Sequence, residues 1–185
     1  MANTAAALAM MGRRVGLVDL DLLSPGLGVL FGVKPLEQTC SINDLLLGEG
    51  EVERAVMDVS WKILVEAGVE GKLYLLPAGF NGEAVFKLLR DGYNAQKCIE
   101  IIREFKELYG IEFMFVDTHP GFEEDTLVAL ASADMLVVVL RPDKQDYVGT
   151  GMTVEVGKTL GKKLSLLLNM VPKLNQDKVF SFIHE

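Results

Sequence analysis

Val116-Asp117-Thr118-His119-Pro120-Gly121 is the stretch that decides the fold of this chain. The run Phe113 to Val116 is apolar, an acid follows it, and the turn after the acid ends in glycine. A buried strand delivers a carboxylate to the rim of a parallel sheet in this way. A carboxylate there can hold a hydrated metal ion, and a glycine N–H can approach a phosphate closely. Val15 to Asp21 repeats the design, with Asp19 ending a strand and Asp21 opening the loop 22–28. Two acids beside a metal-bound triphosphate can order Mg²⁺ and align an attacking water. The plainer readings are a capping Asp117 at a strand–helix turn, and two solvated acids at a loop.

Outward from these motifs, five short apolar runs read as strands: Arg14–Asp19, Lys72–Leu76, Glu112–Val116, Met135–Leu140 and Lys163–Leu168. They are nearly continuous in Val, Leu and Phe, which predicts parallel strands covered on both faces. Helical patterns lie around and between them, over Ala2–Met11, Ile42–Leu47, Glu83–Leu89, Ala95–Tyr109, Glu123–Ser132 and Tyr147–Leu160, with Gln176–His184 as a further candidate. This order predicts an α/β protein with an open, mostly parallel sheet and right-handed crossovers that place helices on both faces. No linker, repeat or low-complexity tract divides residues 1–185, so one domain is expected. Asp19, Asp21, Asp117, Arg141 and Asn169 all follow the ends of apolar runs. In such a sheet those ends share the edge where ligands bind.

Composition narrows the classes. Half of the 185 residues are apolar and 24% are charged, as in a folded globular protein. A net charge of −8 argues against a dedicated nucleic-acid surface. Cys40 and Cys98 lie far apart with no His/Cys cluster, which fits reduced thiols in the cytoplasm. No apolar run reaches membrane-spanning length.

Other motifs carry less. Asn169 follows Leu166-Leu167-Leu168, where its amide can read a purine edge or simply form a turn. The charged loop 141–146 reads as solvated. Gly157-Lys158-Thr159 resembles the end of a phosphate-binding loop, but Met152 stands where that loop needs glycine, and the flanking apolar spacing is helical.

Four blocks carry a family resemblance. Leu8 to Asp21, followed by Ser24-Pro25-Gly26 and Leu30-Phe31-Gly32, resembles the MinD/ParA family of deviant P-loop ATPases. Asp117-Thr118-His119-Pro120-Gly121 is similar to the family's second switch. Arg141 to Tyr147 and Asn169-Met170-Val171-Pro172 resemble later blocks of a MinD-like subgroup. The resemblance implies a P-loop NTPase-like fold with ATP and Mg²⁺ as cofactors. It implies that Asp21 orients the attacking water with Asp19 beside it, and that Asp117 reaches the metal through water. It further implies that Gly121 lies near the γ-phosphate and that Asn169, followed by Pro172, reads adenine. Proteins of this kind are switches in which ATP favours a face-to-face homodimer and regulatory partners bind one state.

The same comparison predicts that the family's first strand and glycine-rich lysine loop precede Met1, and that family members continue past Glu185. The chain is then expected to be a partial domain, truncated at both ends, defective in nucleotide binding and without support for membrane attachment. Direct nucleic-acid binding is not expected. The competing expectation is a non-catalytic interaction module that pairs through an incomplete sheet. A phosphoacceptor receiver domain fits less well, because about 50 residues separate the first two strands.

Overall fold

The computed structural model describes residues 1–34, 39–61, 70–119 and 124–171. Among these the order is α1 (Ala2–Met10), β1 (Arg14–Asp19), α2 (Leu27–Leu30), α3 (Ile42–Leu47), α4 (Val52–Ala55), β2 (Met57–Asp58), β3 (Lys72–Leu76), α5 (Gly82–Asp91), α6 (Ala95–Leu108), β4 (Phe113–Asp117), α7 (Glu124–Ser132), β5 (Met135–Leu140), α8 (Lys144–Thr159) and β6 (Lys163–Leu168). All five expected strands form, the third of them (β4) shifted by one residue so that it includes Asp117. The short elements α2, α4 and β2 were not legible, because two to four residues carry no period. Gln176–His184 lies outside the described residues.

The chain divides into two compact units, Met1–Val128 and a second that starts at Ala129. The first holds a four-stranded sheet in the order β2-β3-β1-β4, in which β1 runs parallel to β3 and β4 and only the two-residue β2 is antiparallel. β1 is buried from Val15 to Asp19. Its Val15 and Leu17 form the core with Leu73 and Leu75 of β3, and with Ala5 and Ala9 one turn apart on α1. The Ala-rich sequence of α1 suits it to this place, since alanine favours helix and lets a helix approach a sheet closely. Each buried Val or Leu contributes about 1.5–3 kcal/mol.

β4 is different. Among the described residues it pairs only with β1, and Met114 to Asp117 are half-buried. One edge of this strand therefore has no described partner. The second unit holds β5 and β6, parallel and in register from Met135↔Lys163 to Leu140↔Leu168, with α8 packed on them. Leu136 and Leu140 are buried, whereas Met135, Val137 and Val139 are exposed. The expectation of a strand covered on both faces holds for β1, while among the described residues one face of β5 is left exposed. Among the described residues β5 and β6 pair with each other, and the strands are mostly parallel as expected.

Caps set the helix ends. Ser41 and Asp44 make a reciprocal capping box at α3, while Asn81, Asn94 and Asp143 cap α5, α6 and α8. No helix among the described residues is long and apolar enough to cross a membrane.

Candidate functional site

The C-terminal ends of β1 and β4 meet at one rim. Asp19 and Asp117 are opposite partners in the parallel ladder, and Leu20 N–H donates to the Asp117 carbonyl at 2.8 Å. Asp19 is fully buried. Its Oδ1 accepts from Asp21 N–H at 3.2 Å, and its Oδ2 accepts from Gly26 N–H at 3.2 Å and Leu27 N–H at 3.0 Å. Both oxygens are therefore engaged in holding the loop that follows β1. Burial pushes the Asp19 carboxyl up from 3.8 to about 6; the amides of Leu27, Asp21 and Gly26 oppose this, and the Asp117 charge adds to it.

Asp21 is half-exposed at the start of that loop, and its Oδ1 accepts from Ser24 N–H, three residues on, at 3.0 Å. The Asp117 carboxyl is raised above its ordinary value. Burial is the main cause; the Met1 amine opposes it and the Asp21 charge reinforces it. The carboxylates of Asp21 and Asp117 are thus close enough to repel one another. The Asp117 carboxylate makes no hydrogen bond or ion pair among the described residues.

This donor set fits a hydrated divalent cation held by few protein atoms. No group of three or more His, Cys, Asp or Glu side chains able to hold a metal occurs among the described residues. Mg²⁺ keeps several waters and is bound through one or two carboxylates together with substrate phosphates. A half-buried carboxylate with no hydrogen-bonding partner, repelled by a second acid, is what such an ion would neutralise.

Beyond Asp117, Thr126 Oγ1 donates to the His119 carbonyl at 3.2 Å. His119 Nδ1 is buried and has no hydrogen-bond partner among the described residues. Gly121 and Pro172 lie outside the described residues. Asn169 belongs to the second unit, exposed at the end of β6; its N–H donates to Leu140 O at 2.8 Å and its Oδ1 accepts from Met170 N–H at 3.0 Å. Met170 adopts φ 55°, a left-handed turn that a non-glycine residue seldom takes. Arg141 pairs with Asp143 and Asp146 on the surface. Gly157-Lys158-Thr159 falls within α8, as its apolar spacing predicts, and is no phosphate loop.

Reading the sequence missed one polar residue near the acids. Asn43, in α3, is buried beneath the loop that carries Asp21. Its only signal was an amide among Ile42, Leu45 and Leu46 in an otherwise apolar helix.

No protein-family model matches the chain. Its curated relatives include an uncharacterized ATP-binding protein of Methanocaldococcus jannaschii, 28% identical over 86% of this chain and 53% of the relative. The flagellum site-determining protein YlxH of Helicobacter pylori is 27% identical over 92% of this chain and 52% of the relative. Among solved structures, the septum site-determining protein MinD of Pyrococcus horikoshii, complexed with Mg-ADP, has a TM-score of 0.73 and 25% identity, covering 96% of this chain and 69% of that one. The chain spans about half the length of the curated relatives it matches.

Proposed function

We propose that this chain, which its relatives and its fold place with the MinD-like deviant P-loop ATPases, supplies the water-orienting and metal-side acids of an ATP-dependent switch. The observation that carries the reading is the convergence of Asp21 and Asp117 at one rim with no described cationic side chain to pair them. Mg²⁺–ATP, when bound, supplies the reacting phosphoryl group and the positive charge that offsets these acids. Asp117 holds the ion's water shell. Asp21 accepts a hydrogen bond from the attacking water and sets its line of approach. Asp19 keeps the Asp21 loop in place through its three amide contacts. Gly121 is proposed to donate its amide near the γ-phosphate, with Asn169 and Pro172 at the adenine.

The 185 residues contain no glycine-rich lysine loop, so alone they are expected to bind nucleotide weakly. The whole protein is proposed to be a cytoplasmic switch that self-associates with ATP, engages a regulatory protein, and acts in positioning, partitioning or assembly. In that protein Asp21→Ala is expected to lower MgATP hydrolysis about a hundredfold while nucleotide binding persists. An unchanged rate would sink the proposal.

A second reading rests on β4. Phe113 to Asp117 have no described neighbour on one edge, and no proline or lysine protects it. A module that pairs through this edge would self-associate without nucleotide. Light scattering after size exclusion tests it, and a strict monomer over a wide concentration range contradicts it.

A further inference from the structure

Three segments meet beside the candidate site: the loop after β1, the turn after β3, and the start of α3. Asn43 joins them. Its side chain is almost fully buried, at 1% exposure. Its Nδ2 donates to the Leu22 carbonyl at 3.3 Å, and its Oδ1 accepts from Gly79 N–H at 2.7 Å. Beside it Ile42 N–H donates to Pro77 O at 3.0 Å. Gly79 is pressed so closely against α3 that a Cβ there would lie 2.5 Å from Ser41 Oγ. The turn after β3 is therefore fixed on α3, and α3 in turn grips the residue next to Asp21.

The chemistry of the contact is selective. One partner is a carbonyl and the other an N–H, so only a side chain with a donor and an acceptor on neighbouring atoms satisfies both. The reversed amide would set like groups against each other at both ends. Aspartate lacks the donor, leucine lacks both, and serine is too short. Asp21 is thus held from two sides: Asp19 takes its own N–H, and Asn43 takes the carbonyl of the next residue.

We infer that Asn43 is a positioning residue for Asp21, coupling the acid's loop to the turn 77–81; this rests on the reading that Asp21 orients the attacking water. Asn43 touches neither nucleotide nor metal in this scheme. It acts by fixing the backbone from which the Asp21 carboxylate projects.

The test compares wild type, Asn43→Asp and Asn43→Ala in the full protein by amide hydrogen exchange and MgATP turnover. Asn43→Asp keeps the acceptor for Gly79 N–H and sets an oxygen against the Leu22 carbonyl. Amides over residues 22–27 are expected to exchange about tenfold faster, the weight of one lost hydrogen bond, while Gly79 stays protected. Asn43→Ala leaves room for water, serves if the charged variant fails to fold, and is expected to loosen both segments. In either variant kcat is expected to fall about tenfold with KM for ATP nearly unchanged, because binding and water alignment are separate contributions. Unchanged exchange across 22–27 in both variants overturns the coupling. A loosened loop with unchanged kcat, or equal losses in kcat and global protection, overturns the positioning role. Absence of Asp21-dependent turnover in wild type overturns the functional reading instead, and shows in a different measurement.

Discussion

Asp19 and Asp117 stand opposite one another at the ends of adjacent parallel strands, the first sealed from solvent and the second half-buried. Burial is the chief cause that raises both carboxyls; the Asp117 charge adds to it at Asp19, and the Asp21 charge adds to it at Asp117. Burying these carboxylates opposes folding, and a bound cation would offset that cost beyond what the Met1 amine does at Asp117. That makes the pair a place to look for ligand-linked stability.

Asp19 gives the pH dependence a definite sign. Its folded value of about 6 exceeds its ordinary 3.8, so the native state binds the proton more tightly than the unfolded state does. Its stabilising protonation is complete below about pH 4 and is lost as pH rises through about 6, a swing on the order of 3 kcal/mol. Urea midpoints for wild type and Asp19→Asn across pH 4–7 should differ in slope, the variant lacking this fall. Parallel profiles would contradict the assignment.

For Asp117 the expectation runs against the usual cost of mutating a half-buried polar residue. Asp117→Asn removes a charge that burial chiefly disfavours, with the Met1 amine favouring it and Asp21 adding to the cost. The unliganded variant should be at least as stable as wild type at neutral pH. MgATP at ten times its Kd should stabilise wild type by about 1.4 kcal/mol. The variant should show little of that gain at the same concentration. Thermal melts with and without MgATP measure both effects, and an equal ligand response would remove Asp117 from the site.

The Gly157-Lys158-Thr159 segment should behave as packing and surface. A Cβ on Gly157 would lie 2.8 Å from Leu136 Cδ1 and 3.1 Å from Leu164 Cδ2. Gly157→Ala should therefore cost about 1–2 kcal/mol as these side chains shift. Lys158 is exposed, and Lys158→Ala should change stability by under about 0.5 kcal/mol. Its nucleotide response should match wild type. Loss of ATP binding in Lys158→Ala would reinstate the segment as a phosphate site.

Much of the scaffold was legible before any coordinates. A parallel strand announces itself as an unbroken apolar run, and Arg14–Asp19, Met135–Leu140 and Lys163–Leu168 begin and end where the sequence places them. The helix over Ile42–Leu47 was equally plain; in the fold Ser41 caps it and Gly48 ends it at φ 87°. Two-residue β2 gave no such signal. Neither did the exposure of Met135, Val137 and Val139, since a run of apolar residues does not reveal whether anything covers its far face.

What the order of residues determined by itself was local: which segments extend, which coil, and that acids stand where strands stop. Tertiary structure decided what those acids do with their oxygens. Asp19 reads as a free acid beside Asp21, yet the folded chain turns the amides of Gly26 and Leu27 onto it. Asn43 finds its partners 21 and 36 residues away, at Leu22 and Gly79. Hydrophobic periodicity reports only on near neighbours along the chain. A buried polar group is satisfied by whatever the packing brings beside it, and packing is settled only when distant segments meet.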